Sequence, residues 1–290
     1  MKTLSEGEIR SLVSLLDERD PKNLDIVERQ ILDLGAPAIP FLEEFRVRCE
    51  PDVTARADAL ARQLHFRGLQ DSFLALASAR QTDLEEGAWL IARFGYPGLD
   101  APAHKAWLDK LAGKIRRDCG PGTDAALVFQ RLNSELFESL GFSGNEKHYY
   151  DPDNSYLNRV IETRRGIPVS LSVLYLLLAR RLDLPVHGVA TPGHFLVAAR
   201  LGPGVSFLDA YGRGRLMSQL DVERMLARSG YDFRPELLEP AADRAVLIRM
   251  MRNLISIYQK SGRRERAEML SSLVDIMLTG KLPRPAATDQ

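Results

Sequence analysis

An imidazole and a carboxylate, His194 and Asp209, stand at the ends of two short apolar runs in the segment ATPGHFLVAARLGPGVSFLDAYGRG. Pro192-Gly193-His194 opens a strand that runs through Phe195, Leu196 and Val197. Gly202-Pro203-Gly204 then turns the chain, and Val205 to Leu208 returns it to end on Asp209. Two such runs joined by that turn read as a hairpin, which brings His194 beside Asp209. A carboxylate next to an imidazole fixes its tautomer and ties two strands together, whether or not the pair does chemistry. The hydroxyl that draws attention is Ser170, in the first turn of an apolar segment opened by Gly166-Ile167-Pro168. A serine there also satisfies the free backbone donors of a helix start, and that is the expected role of Ser170. Ser172, slightly further in, reads as core-facing.

The residues leading into that segment line the same region. Asp151, Asp153, Asn154, Ser155 and Tyr156 form a loop of the kind that turns through bonds from side chain to backbone. Tyr150 closes the aromatic stretch before it. Arg164 and Arg165 stand just ahead of the Gly-Ile-Pro turn and suit a carboxylate or phosphate; their plainer reading is solvated, or paired with Glu162 or Asp209. Asn154, Arg165 and Tyr150 are therefore the candidate ligand-binding residues. Other chemistries find no support. There is no HExxH, no phosphate loop and no dinucleotide fingerprint, and Gly212-x-Gly214 lacks both the third glycine and the helix. His148, His187 and His194 lack metal-ligand spacing, so neither a metal nor a cofactor is expected.

These residues need elements to hold them. The segment after Pro168 is apolar all round, with Leu171, Val173, Leu174, Tyr175, Leu176, Leu177 and Leu178, which marks a buried central helix ending near Leu184-Pro185. Proline suits its first turn, where the missing N–H has no partner to lose. Strands appear only after Pro185, beginning with Val186 to Ala190. Everything before is helical: residues 5 to 80, then Asp83 to Ala92, Trp107 to Cys119 and Ala125 to Leu140. Among residues 5 to 80, Val53 to Leu64 stands out as an amphipathic stretch. A short helix over Asp221 to Ser229 and a hairpin of Arg244 to Lys260 with Arg264 to Leu278 complete the chain. The predicted class is α+β. Residues 1–80 form a helical region with HEAT-like rhythm, 81–230 the core, and 231–290 a hairpin and tail. In the hairpin, Leu254, Tyr258, Gly262 and Ala267 have tetratricopeptide-like spacing. The last ten residues are expected to fray.

Composition narrows the partners. Lys+Arg and Asp+Glu are equal at 39 each, so no global charge draws the chain to nucleic acid or to an acidic membrane. The charged start, MKTLSEGEIR, is unlike a signal peptide, and no apolar run is long enough to span a bilayer. Cys49 and Cys119 are far apart and without CxxC spacing, as expected of inert, reduced thiols in a cytoplasmic protein.

The run from Asn154 to Val197, with NSYL, RRGIP, SLS, ARRL, LP, GV and PGHFLV in order, resembles the transglutaminase-like superfamily. More narrowly it is similar to its bacterial SirB-type subfamily, over roughly Asp83 to Leu226. The resemblance implies a papain-like core in which a cysteine at the start of a buried helix meets a histidine and an aspartate on neighbouring strands. It assigns the histidine to His194 and the aspartate to Asp209, and it includes Asn154 in the shared pattern. Aligned on Leu182-Asp183-Leu184-Pro185, the cysteine position falls on Pro168, and a shift of two residues brings Ser170 there. The expectation is a protein without the cysteine nucleophile that works as a peptide- or protein-binding module or scaffold. The alternative is a serine-dependent hydrolase or acyl-transferase in which Ser170 attacks, His194 is the base and Asp209 orients it.

Overall fold

The computed structural model describes residues 4–46, 50–202 and 204–282. Cys49, Pro203 of the expected hairpin turn and the end of the tail lie outside the described residues. The chain divides into two compact units, Met1–Ser72 and Phe73–Gln290.

The first unit is helical: α1 (Glu6–Ser14), α2 (Pro21–Leu34), α3 (Ile39–Phe45) and most of α4 (Pro51–Ser78). Ser5 and Glu8 form a reciprocal cap at the start of α1, and Asp20 caps α2 ahead of Pro21. Val13, Leu16, Ile31, Leu42, Ala57 and Leu60 meet in its core. Leu12 packs against this core from the edge, whereas Leu15 is exposed. The stretch expected over Val53 to Leu64 continues without a break to Ser78. Gly68 inside it costs a helix only about 1 kcal/mol, too little to end a run of good helix formers.

The second unit is built on a buried helix. It begins with α5 (Leu84–Gly95), α6 (Ala101–Cys119) and α7 (Ala125–Asn133). Asp83, Asp100 and Asp124 each accept backbone N–H groups at the helix starts. With Asp100 as cap and Pro102 in the first turn, α6 starts well before the expected Trp107. The helix expected to run to Leu140 instead widens after Asn133 into a π-turn over Ser134–Ser139. There Glu135 is drawn inward to Lys114 and Arg131, while Leu136 and Phe137 are buried.

After two-residue strands β1 (Ser143–Gly144) and β2 (Arg165–Gly166), which pair in parallel around α8 (Leu157–Thr163), comes α9 (Pro168–Arg181). Every residue of α9 from Pro168 to Ala179 is buried. Fully burying one such Leu or Val side chain is worth about 1.5–3 kcal/mol, so this helix contributes heavily to the unit's stability. Asp183, in the left-handed region at φ 57°, turns the chain towards Pro185.

Four antiparallel strands follow as a meander in order β3-β4-β5-β6: Val186–Val189, Leu196–Ala199, Ser206–Asp209 and Arg215–Met217. β4 is buried on both faces. Leu196 and Ala198 join Val189, Phe207 and Met217 under α10 (Gln219–Arg228). The alternate residues, Val197 and Ala199, therefore face the other way, towards α9. The sheet is thus a middle layer between two helices, in agreement with the α+β class.

The C-terminal hairpin, α11 (Asp243–Lys260) and α12 (Arg264–Thr279), packs within this same unit. α11 lies against α5, where a Cβ on Gly87 would overlap Leu247. Tyr258 meets Tyr156 hydroxyl to hydroxyl at 2.6 Å, and Arg266 donates to Tyr258 Oη at 3.2 Å. Arg180 forks onto Asp243 at 2.6 and 2.9 Å.

Candidate functional site

The β3–β4 connection places His194. Thr191, Pro192 and Gly193 turn with Gly193 at φ 71°, and the His194 N–H donates to Thr191 O at 3.3 Å. His194 stands just ahead of β4, while Asp209 is the last residue of β5. The antiparallel register, Val197 opposite Leu208, brings the two together. His194 Nε2 and Asp209 Oδ1 are 2.8 Å apart. With Nε2–H donated to the carboxylate, the neutral ring presents Nδ1 as an acceptor.

Asp209 is held from three further directions. The Gly212 N–H donates to Oδ1 at 3.0 Å, Arg215 Nη2 lies 3.3 Å from Oδ2, and Gly214 N–H donates to the Asp209 carbonyl at 2.9 Å. A Cβ on Gly212 would sit 2.5 Å from Asp209 Oδ2, so only glycine leaves the carboxylate in place. Burial works to raise the pKa of Asp209. The bond from His194, that ring's charge when it is protonated, the Gly212 N–H and Arg215 outweigh it and hold the carboxyl below its usual range. A group whose folded pKa is depressed adds stability above its unfolded value, about 4, and this is lost as pH falls through the folded value. The stability gap between the protein and Asp209→Asn, measured by urea denaturation, should therefore be open at neutral pH and close below about pH 4. A gap that persists undiminished in acid contradicts this assignment.

Ser170 and Ser172 point in different directions. Ser172 Oγ donates to the carbonyl of Phe195, the residue after His194, at 3.3 Å. Pro168 is four residues earlier on the same helix face, one turn nearer the start. Ser170 is about 200° round the helix from either. Its hydroxyl is fully buried, donates to Asn154 O at 2.6 Å, and accepts from the Ile167 N–H at 3.1 Å. The structure therefore places Ser170 with the helix start and not with the His194–Asp209 pair. Ser170→Ala should cost about 1–2 kcal/mol in chemical denaturation through loss of this cap. A change below about 0.3 kcal/mol would mean that the cap carries nothing.

The other candidates are likewise accounted for. Asn154 is buried and stitches its own loop: its Nδ2 donates to His148 O at 2.6 Å and its Oδ1 accepts from Asn145 at 2.9 Å. Arg164 and Arg165 are paired with neither Glu162 nor Asp209. They donate at 2.9 Å to the carbonyls of Leu140 and Gly141, which follow the π-turn. Arg159 takes Glu162 and Arg215 takes Asp209. Tyr150 is exposed, with Lys260 Nζ 4.1 Å above its ring. Cys119 lines a depression with Leu182 and Asp183, past the far end of α9. Ten residues of helix separate that end from Ser172, about 15 Å.

Of the chain of rings that leads from His194, sequence reasoning named Tyr150 and missed Tyr149 and Tyr211. Tyr211 meets His194 edge-on at 6.2 Å, Tyr149 meets Tyr211 at 6.2 Å, and Tyr150 meets Tyr149 at 5.3 Å. A Cβ on Gly144 would fall 2.4 Å from the Tyr211 ring, and the Gly144 N–H donates to Tyr211 O at 3.0 Å. The signal was the pair of tyrosines directly before the Asx-rich loop and the one two residues after Asp209. Among the described residues no group of three or more His, Cys, Asp or Glu is arranged to hold a metal ion. Among them, too, no helix is long and apolar enough to cross a membrane.

Comparison with known proteins agrees with this architecture. The family model described as the transglutaminase-like superfamily matches residues 103–252. A UPF0162 protein of Xylella fastidiosa is 38% identical over 207 residues, covering 67% of this chain and 71% of the relative. A UPF0162 protein of Pseudomonas aeruginosa is 30% identical over 210 residues, 71% and 74% of the two chains. The human F-box only protein 21 is 31% identical over 159 residues, 52% of this chain and 25% of that protein. No solved structure is significantly similar. Both the family match and the extent of the bacterial similarity lead to one conclusion: the chain belongs to the transglutaminase-like superfamily, alongside the bacterial UPF0162 proteins.

Proposed function

We propose that this is a transglutaminase-like protein of the SirB type that has no nucleophile and binds a peptide or protein segment at the surface around His194. The observation that carries the reading is the surroundings of the imidazole. Among the described residues its ring hydrogen-bonds Asp209 alone, and no hydroxyl or thiol reaches it. At the start of α9 the face continuous with Ser172 is presented by Pro168, whose ring has no nucleophilic atom. An oriented base without a nucleophile does not carry out acyl transfer. It does offer a fixed polar contact at Nδ1, next to a chain of three tyrosine rings.

Tyrosines supply large, stiff contact area with a polar tip, which is why they dominate binding surfaces. Lys260 over Tyr150, and Arg249 donating to the Thr191 carbonyl at 3.4 Å, add positive charge beside them. The C-terminal hairpin, tetratricopeptide-like in rhythm, belongs to the same unit and adds to the surface available to a partner. The two cysteines, far apart and without CxxC spacing, and the balanced charge support a cytoplasmic location and a partner other than nucleic acid.

Selection from a random peptide library on the immobilised protein tests the reading. Peptides so obtained should bind Tyr149→Ala and His194→Ala at least about tenfold more weakly than the unaltered protein, with circular dichroism unchanged. Binders indifferent to both substitutions would overturn the placement of the site.

A further inference from the structure

β6 is the last strand of its sheet, and the groove it forms with α10 is charged and open. Its volume is about 470 Å³, and Arg215, Leu216, Asp221, Arg224 and Met225 line it together with Arg228. Arg215 and Arg224 are 63% and 61% exposed in their side chains, and Leu216 is 54% exposed. Arg228 is exposed and makes no ion pair among the described residues. The one carboxylate in the groove, Asp221, is already engaged: Oδ2 accepts from Ser218 N and Oγ at 2.9 and 2.7 Å, capping α10, and Oδ1 lies 3.9 Å from Arg224. Arg215 is paired with Asp209 at 3.3 Å and Arg228 is without an ion pair among the described residues, so three guanidinium groups line the groove with a single carboxylate among them, on a protein whose overall charge is zero. The positive charge is local to this groove.

The spacing of the charges restricts what fits. Arg224 and Arg228 are four residues apart on one face of α10, a rise of about 6 Å. Side chains two apart on an extended strand are separated by about 6.6 Å, close to that rise. An extended segment lying along α10 thus presents carboxylates at every second position to Arg224 and Arg228 in turn. Arg215 on β6 stands on the opposite wall, on the same strand face as Met217, and Met225 of α10 leaves an apolar contact for the residues beside the carboxylates. Guanidinium–carboxylate pairs are the strong, directional choice for such recognition.

We propose that the β6–α10 groove is a docking site for an acidic, extended peptide segment with carboxylates at alternate positions and leucine-like residues near them. The groove is separate from the tyrosine surface at His194, and the proposal stands whether or not that surface binds anything. The two are nonetheless in contact, because Arg215 also reaches Asp209 Oδ2 at 3.3 Å. A carboxylate that drew Arg215 into the groove would take away one of the partners of Asp209.

Fluorescence anisotropy on the full chain tests the proposal, with a labelled Gly-Glu-Leu-Glu-Leu-Glu-Gly peptide as probe and its lysine counterpart as control. Saturable binding of the acidic probe is expected, with no binding of the lysine peptide and an affinity that falls as salt is raised. The double variant Arg224→Glu, Arg228→Glu, both on the surface, should weaken binding at least about tenfold with unchanged circular dichroism, while Tyr149→Ala leaves it unaltered. Failure to bind below about 200 µM, equal binding of the lysine peptide, or indifference to the double variant would each overturn the groove. Loss of binding in Tyr149→Ala would do the same, because the peptide would then sit at the His194 surface.

Discussion

Leu174→Ala is expected to lower the stability of the second unit by about 2–5 kcal/mol, the range found when a fully packed leucine is cut back and its cavity cannot collapse. Leu174 is 1% exposed, in the middle of a helix whose neighbours Val173, Tyr175 and Leu176 are equally enclosed. Because α9 is walled on every side, no solvent-facing side chain can swing in to fill the space. Tryptophan fluorescence in urea reads the effect directly. Both tryptophans of the chain, Trp89 and Trp107, are in this unit, so the first unit does not contribute to the signal. A loss below about 1 kcal/mol would show that α9 is not the packed centre described here.

Gly214→Val should be nearly as damaging, for a different reason. Gly214 has φ 73°, in the left-handed region, where a residue with a Cβ is strained by about 1–2 kcal/mol. That Cβ would also lie 2.2 Å from the Phe137 ring, and Phe137 is stacked on Tyr175 of α9 at an interplanar angle of 8°. Overpacking of this kind adds about 1–3 kcal/mol, so a total of about 2–5 kcal/mol is expected in the same urea experiment. The damage should spread to the site. The Gly214 N–H donates to the Asp209 carbonyl, and the β5–β6 turn sets the Gly212 N–H on the carboxylate. In histidine-detected NMR, the His194 ring signals should shift in Gly214→Val and stay in place in Gly98→Ala, where the added Cβ meets nothing within 4 Å.

The parts of the fold that were legible in the sequence are those governed by local rules. An apolar wrap-around run behind Gly-Ile-Pro gave away α9, and two short runs on either side of a Gly-Pro-Gly turn gave the pairing that joins His194 to Asp209. The starts of α5 and α7 were legible at Asp83 and Ala125, but that of α6 was not: it begins at Ala101 because Asp100 and Pro102 set it, although the apolar pattern becomes clear only near Trp107. The π-turn at Ser134–Ser139 was out of reach, because it follows from Glu135 being drawn to Lys114 and Arg131 across the fold.

The site shows the same division. His194 and Asp209 were found because strand register is local. Arg164 and Arg165 are exposed, as the solvated reading had it, but the Leu140 and Gly141 carbonyls they bond are 24 residues away in sequence and could not be read from it. Arg215 was overlooked as the partner of Asp209, although β5 and β6 place the two directly opposite each other. The tyrosines at 149, 150 and 211 come from two separate loops, joined by the Gly144 N–H donating to the Tyr211 carbonyl.

The central claim is that the imidazole–carboxylate pair has no nucleophile. Active-site labelling with a fluorophosphonate and with iodoacetamide, followed by intact-mass and peptide mapping, tests it most directly in the unaltered protein, Ser170→Ala and His194→Ala. The account predicts no fluorophosphonate adduct, and iodoacetamide adducts only on cysteine and to the same extent in all three proteins. An adduct on Ser170, or any adduct that disappears when His194 is replaced, would contradict it and make the protein an enzyme.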